Sequence, residues 1–91
     1  MAREAVIVQS LRTGLTKAKR GSFNTTEPVD YLAHTLREAV ASVPNLDPAE
    51  IEDVIVGTGF PEGCQGMNTA RIAAMAAGFP QEVAATTVNR F

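Results

Sequence analysis

The chain has 91 residues, 45% hydrophobic and 20% charged, a globular rather than a disordered composition. Its formal net charge of -2 gives no global basic field to hold nucleic acid or an anionic membrane. A single cysteine, Cys64, excludes an internal disulfide and a Cys-rich zinc site, and no apolar run approaches the roughly 20 residues of a membrane span.

Glu4 to Ser10 reads as a first strand. Its core Ala5-Val6-Ile7-Val8 is continuously apolar, as expected of a strand covered on both faces. That stretch is too short for a signal-peptide core, so the chain reads as cytoplasmic. Residues 12–26 carry Gly, Ser, Thr and Asn without a clear period and read as a loop.

A helix then follows. Pro28 suits its first turn, with Thr26 or Glu27 as cap. Val29, Leu32, Leu36, Val40 and Val43 recur at helical spacing until Pro44 ends the pattern. Asp47-Pro48-Ala49-Glu50 has the cap, first-turn proline and acid of a capping box, which predicts one short helical turn. Asp53 to Thr58, centred on Val54-Ile55-Val56, reads as a second buried strand.

Residues 57–66 contain Gly57, Gly59, Gly63 and Gly66 and read as a loop. They match no phosphate-binding fingerprint, because G-x-G without a third glycine opening a helix is weak. A second helix runs from about Asn68 to Ala77 and stops at Gly78, a natural left-handed cap. Ala70, Ala73, Ala74, Ala76 and Ala77 let it approach a neighbour closely. Ala84 to Asn89 reads as a third strand. The order strand, helix, strand, helix, strand predicts an α/β fold with a parallel sheet. The chain stops at Phe91, directly after that third strand, and reads as cut before its next helix.

Three stretches carry a family resemblance. They are EAVIVQSLRT (Glu4–Thr13) with Lys19-Arg20-Gly21-Ser22-Phe23, then VGTGFPEGCQGMNTAR (Val56–Arg71), then TTVNRF (Thr86–Phe91). In order and spacing, over essentially the whole chain, they resemble the amino-terminal segment of the thiolases. Gly14 stands where many thiolases have proline, and the loop carries Cys64 and Met67; these departures bear on the subfamily. The Arg-Gly-x-Phe pattern at 20–23 leans toward degradative 3-ketoacyl-CoA thiolases.

The resemblance implies layered helices around a mixed, mainly parallel sheet, with residues 1–91 an incomplete N-terminal part of the N-terminal domain. It implies acyl transfer: thiolytic cleavage of a 3-ketoacyl-CoA by coenzyme A, or the reverse Claisen condensation, through a cysteine-bound acyl group. It implies no catalytic residue within 1–91, because the nucleophilic cysteine would follow Phe91 immediately. It implies coenzyme A as substrate, no metal or redox cofactor, a homodimer or homotetramer, and a possible place in a β-oxidation complex. The loop 57–71 resembles the part near the dimer interface.

Asn68 and Arg71 are expected to cap the second helix and order the loop or subunit contact beside the site. Asn89 and Arg90 flank the nucleophile position, and Asn89 is expected to fix backbone geometry there. Cys64 reads as a small packed hydrophobe rather than a nucleophile, with no histidine near in sequence. His34 falls on the polar face of the first helix and reads as solvated rather than as a general base. Lys17, Lys19 and Arg20 could meet a CoA phosphate, but a solvated loop is the plainer reading. Two other functions stay open: a thiolase-fold relative such as a ketosynthase or a sterol-carrier-type protein, and a non-enzymatic α/β interaction domain.

Overall fold

A computed structural model describes residues 2–91. Helix α1 spans Pro28–Ala41. Pro28 occupies its first turn, where the missing N–H costs nothing, and the cap residue Glu27 is extended. The carboxylate of Asp30 in the first turn favours the positive end of the helix dipole. Ala33 is buried, Leu32, Leu36 and Val40 are half-buried, and His34, Arg37 and Glu38 are exposed. Ser42 ends the helix: its N–H donates to the Glu38 carbonyl at 3.0 Å and its hydroxyl to the Ala39 carbonyl at 2.8 Å.

The capping box then forms as the sequence predicts. One 3-10 turn, Pro48–Glu50, follows Asp47, whose carboxylate accepts from the Ala49 N–H at 3.0 Å. The Asp47 N–H donates back to Glu50 Oε2 at 3.4 Å. Strand β1 (Asp53–Gly57), helix α2 (Thr69–Ala76) and strand β2 (Ala84–Val88) complete the order, with a second 3-10 turn at Gly63–Gln65 in the β1–α2 loop.

β1 and β2 pair in parallel, Val54 opposite Ala85, Val56 opposite Thr87 and Gly57 opposite Val88. α2 packs on both strands, and α1 packs on α2. Ala70, Ala73 and Ala74 of α2 are fully buried, so the alanine-rich face works as a close-approach surface. Ala33, Val54, Ala74, Ala77, Phe79 and Val83 form the core, with Leu36, Val40, Val56 and Ala85 packed against it. Gly78, at φ 86°, ends the α2 segment in the left-handed conformation.

The architecture is α/β, but one expectation fails. Glu4–Ser10 forms no strand, and Val6, Ile7 and Val8 are 74%, 90% and 71% exposed. The observed order is therefore helix, strand, helix, strand, and the sheet has two strands among the described residues. A run of apolar residues supplies strand propensity, whereas the ladder must come from a neighbouring backbone. β1 pairs with β2, and no described segment pairs with residues 4–10. The described residues also cover one face of the sheet rather than both: Val54 is 7% exposed and its neighbour Ile55 67%.

Candidate functional site at the carboxyl edge of the sheet

Parallel strands end on a common edge, where loops and helix starts gather in α/β proteins. Here β1 ends at Gly57 and β2 at Val88. The ladder runs one step further, since the Thr58 N–H donates to the Val88 carbonyl at 2.9 Å. The loop from Thr58 to Asn68 leaves from this edge and returns to it. Gln65 holds it: its side-chain carbonyl accepts from the Thr58 hydroxyl at 2.7 Å, and its backbone carbonyl from the Thr69 hydroxyl at 2.8 Å. Both threonines are buried, so these bonds satisfy hydroxyls removed from water. Gly63, at φ 60°, takes a left-handed conformation that glycine adopts without penalty.

Asn68 joins the start of α2 to β2. Its side-chain carbonyl accepts from the Arg71 N–H at 3.3 Å as a helix cap, and from the Thr87 hydroxyl at 2.6 Å. Its amide donates to the Ala85 carbonyl at 3.1 Å. Thr87 in turn accepts from the Ala70 N–H at 2.9 Å. Arg71, one turn on, donates to the Val83 carbonyl at 2.7 Å and the Gln81 carbonyl at 3.0 Å. Asn68 thus holds β2 at Ala85 and Thr87, and Arg71 holds the segment that leads into it. Asn68 caps α2 as the sequence predicts, whereas the Arg71 side chain does not cap the helix but reaches the segment before β2.

Asn89 and Arg90 continue from β2 along the same edge and are exposed. The Asn89 side-chain carbonyl accepts from the Phe91 N–H at 3.4 Å, a long bond. The Phe91 ring meets Phe60 from the β1–α2 loop, edge to face, with centroids 5.5 Å apart and planes at 61°. The β1–α2 loop therefore touches the chain three residues beyond the end of β2.

Several other candidates lie apart from this network. His34 is exposed on α1, as its polar-face position predicts. Lys17, Lys19 and Arg20 are exposed in a turn region closed by the Gly21 N–H donating to the Lys17 carbonyl at 2.7 Å. Cys64 is exposed, not packed as the sequence predicts: the 3-10 turn around it keeps its side chain out of the core. Among the described residues, no group of three or more His, Cys, Asp or Glu side chains converges.

Thr58, Phe60, Gln65, Thr69 and Thr87 escape the sequence reading. For Thr87 a signal exists. Strand alternation puts it on the face of Ala85, opposite the inward-facing Val56, and a hydroxyl on a packed face calls for a partner.

A family model described as "Thiolase, N-terminal domain" matches residues 5–91. The chain belongs to the thiolase family. Its thiolase relatives include the protein named "3-ketoacyl-CoA thiolase 2, peroxisomal" of Arabidopsis thaliana, 48% identical over 87 residues, covering 96% of this chain and 19% of that protein. A "3-ketoacyl-CoA thiolase" of Aeromonas hydrophila is 42% identical over 88 residues, covering 97% of this chain and 23% of that one. The crystal structure of the Bacillus anthracis acetyl-CoA acetyltransferase superposes with a TM-score of 0.67 at 37% identity, covering 77% of this chain and 17% of that one. The α/β architecture is thus that of the thiolase fold. The chain spans about a fifth of the length of the curated thiolases it matches.

Proposed function

We propose that this chain is the amino-terminal part of a thiolase that cleaves a 3-ketoacyl-CoA with coenzyme A, or runs the reverse condensation. The observation that carries the reading is the end of β2: Thr86-Thr87-Val88-Asn89-Arg90-Phe91 runs out of a parallel strand at the carboxyl edge, pinned there by Asn68. Identities of 42% and 48% to proteins named 3-ketoacyl-CoA thiolase support it.

In this reading the residue after Phe91 is a cysteine. Its thiolate attacks the 3-keto carbon and a carbon–sulfur bond forms. The bond between carbons 2 and 3 then breaks, and its electron pair passes to the acetyl-CoA enolate. A second cysteine, outside residues 1–91, protonates that enolate. The same group takes the proton of coenzyme A, whose thiolate displaces the acyl group and releases the first cysteine as thiolate. Oxyanion holes stabilise the charge on both oxygens. A helix beginning after the strand would favour the thiolate over its thiol, lowering a pKa that is about 8.5 in a free cysteine.

The part played by residues 1–91 is to position. Asn68 and Arg71 hold the helix start to β2 and to the segment before it, Asn89 and Arg90 flank the nucleophile, and the loop 57–71 lies near a subunit contact in a homodimer or homotetramer. Coenzyme A is a substrate, and the protein needs no metal or redox cofactor. The peroxisomal 3-ketoacyl-CoA thiolases among the relatives support a degradative role in fatty acid β-oxidation. A cytoplasmic location is part of the proposal but draws no support from those names. Thiolysis by the full-length protein tests the reading, with acetoacetyl-CoA and a long-chain 3-ketoacyl-CoA compared as substrates. Coenzyme A-dependent loss of either substrate, with release of acetyl-CoA, supports it. Loss of neither contradicts it.

A further inference from the structure

The Phe60–Phe91 pair is not explained by packing of the core. Both rings lie outside it, at 53% and 91% exposure. What the pair does is join two segments at one point. Phe60 sits two residues after Thr58, whose backbone extends the ladder to Val88, and its carbonyl accepts from the Glu62 N–H at 2.9 Å in a tight turn. Phe91 sits three residues after Val88, its N–H turned toward Asn89. Each ring is thus carried on a short, hydrogen-bonded stalk rooted in the same rung of the sheet. Two stalks and an edge-to-face contact at 5.5 Å close a small loop of structure around the carboxyl edge. The aromatic quadrupole favours that tilted geometry over a sliding stack, so the contact sets orientation as well as distance.

We infer that Phe60 is a positioning residue: through its contact with the Phe91 ring it sets where the residue after Phe91 stands. The inference rests on the thiolase reading, in which that residue is the acyl-accepting cysteine. Phe60 itself touches neither substrate nor sulfur. It acts through Phe91, so its removal should alter the placement and reactivity of the thiol more than the binding of substrate. Small misplacements of a reacting group cost rate steeply.

The test is a double-variant cycle in the full-length protein with Phe60→Leu, Phe91→Leu and the combination, plus Phe60→Tyr. Leucine keeps an apolar side chain at each site and removes the ring. The readouts are kcat and KM for thiolysis and the pH midpoint of thiol alkylation by iodoacetamide. Phe60→Leu is expected to lower kcat about tenfold, leave KM within about twofold and move the alkylation midpoint upward. Phe60→Tyr is expected to restore most of kcat. The Phe60→Leu effect is expected to shrink severalfold once Phe91 is already leucine. Wild-type kcat and alkylation in Phe60→Leu overturns the inference, as does an undiminished effect in the Phe91→Leu background. A wild-type protein that performs no thiolysis overturns the underlying reading instead, and this inference with it.

Discussion

The hydroxyl of Thr87 donates to the Asn68 side-chain carbonyl at 2.6 Å while accepting from the Ala70 N–H at 2.9 Å. One strand residue therefore binds both the cap and the first turn of α2. The helix start and the strand that leads to the candidate site are hydrogen-bonded into one unit.

Breaking that unit should be costly and non-additive. In the full-length protein, Asn68→Ala loses a helix cap and is expected to destabilise by about 1–2 kcal/mol. Thr87→Val keeps the shape but leaves the Ala70 N–H unpaired, a cost of about 1–3 kcal/mol. Because the two share a bond, the double variant should fall short of the sum by about 1 kcal/mol. Denaturant unfolding of the four proteins checks this, and simple additivity counts against the network.

Arg71 reaches two carbonyls, Val83 and Gln81, with separate guanidinium nitrogens. A lysine offers a point charge where a fork is needed. Arg71→Lys is expected to cost about 1 kcal/mol and Arg71→Ala about 2 kcal/mol. If lysine matches arginine in the same unfolding experiment, the two-carbonyl geometry is not what holds the segment before β2.

Gly78 has φ 86°, and a Cβ placed there meets nothing within 4 Å. Any penalty on replacement is thus backbone strain and not crowding. Gly78→Ala is expected to cost about 1–2 kcal/mol, and Gly78→Asn less. Equal losses for the two residues would point to some cause other than φ.

These features differ in how far the sequence foretells them. Asp47's capping box, Asn68's cap and the stop at Gly78 are legible because each is local chemistry, complete within a few residues. The helices and the strands read at 53–58 and 84–89, each one residue longer than observed, follow from period and punctuation for the same reason. Residues 4–10 fail because a strand is half of a pair, and propensity says nothing of whether a partner is present. At the candidate site, Asn68, Arg71 and Asn89 are recognisable from motifs. Thr87, Gln65 and Phe60 acquire their roles from residues 4 to 31 positions away, and only the folded chain brings them together. Cys64 is missed for a similar reason: a thiol's usual burial gives way to a loop that turns it outward.

In the proposed thiolase, β2 delivers Phe91 to the threshold of an acyl-accepting sulfur. Arg90 makes the direct measurement simple, because trypsin cleaves after it and the next peptide opens with Phe91. The full-length protein, incubated with acetyl-CoA, quenched in acid and mapped by mass spectrometry, should carry one acetyl group on a cysteine in the second position of that peptide. Absence of a cysteine there, or an acetyl group found only on some other residue, contradicts the account.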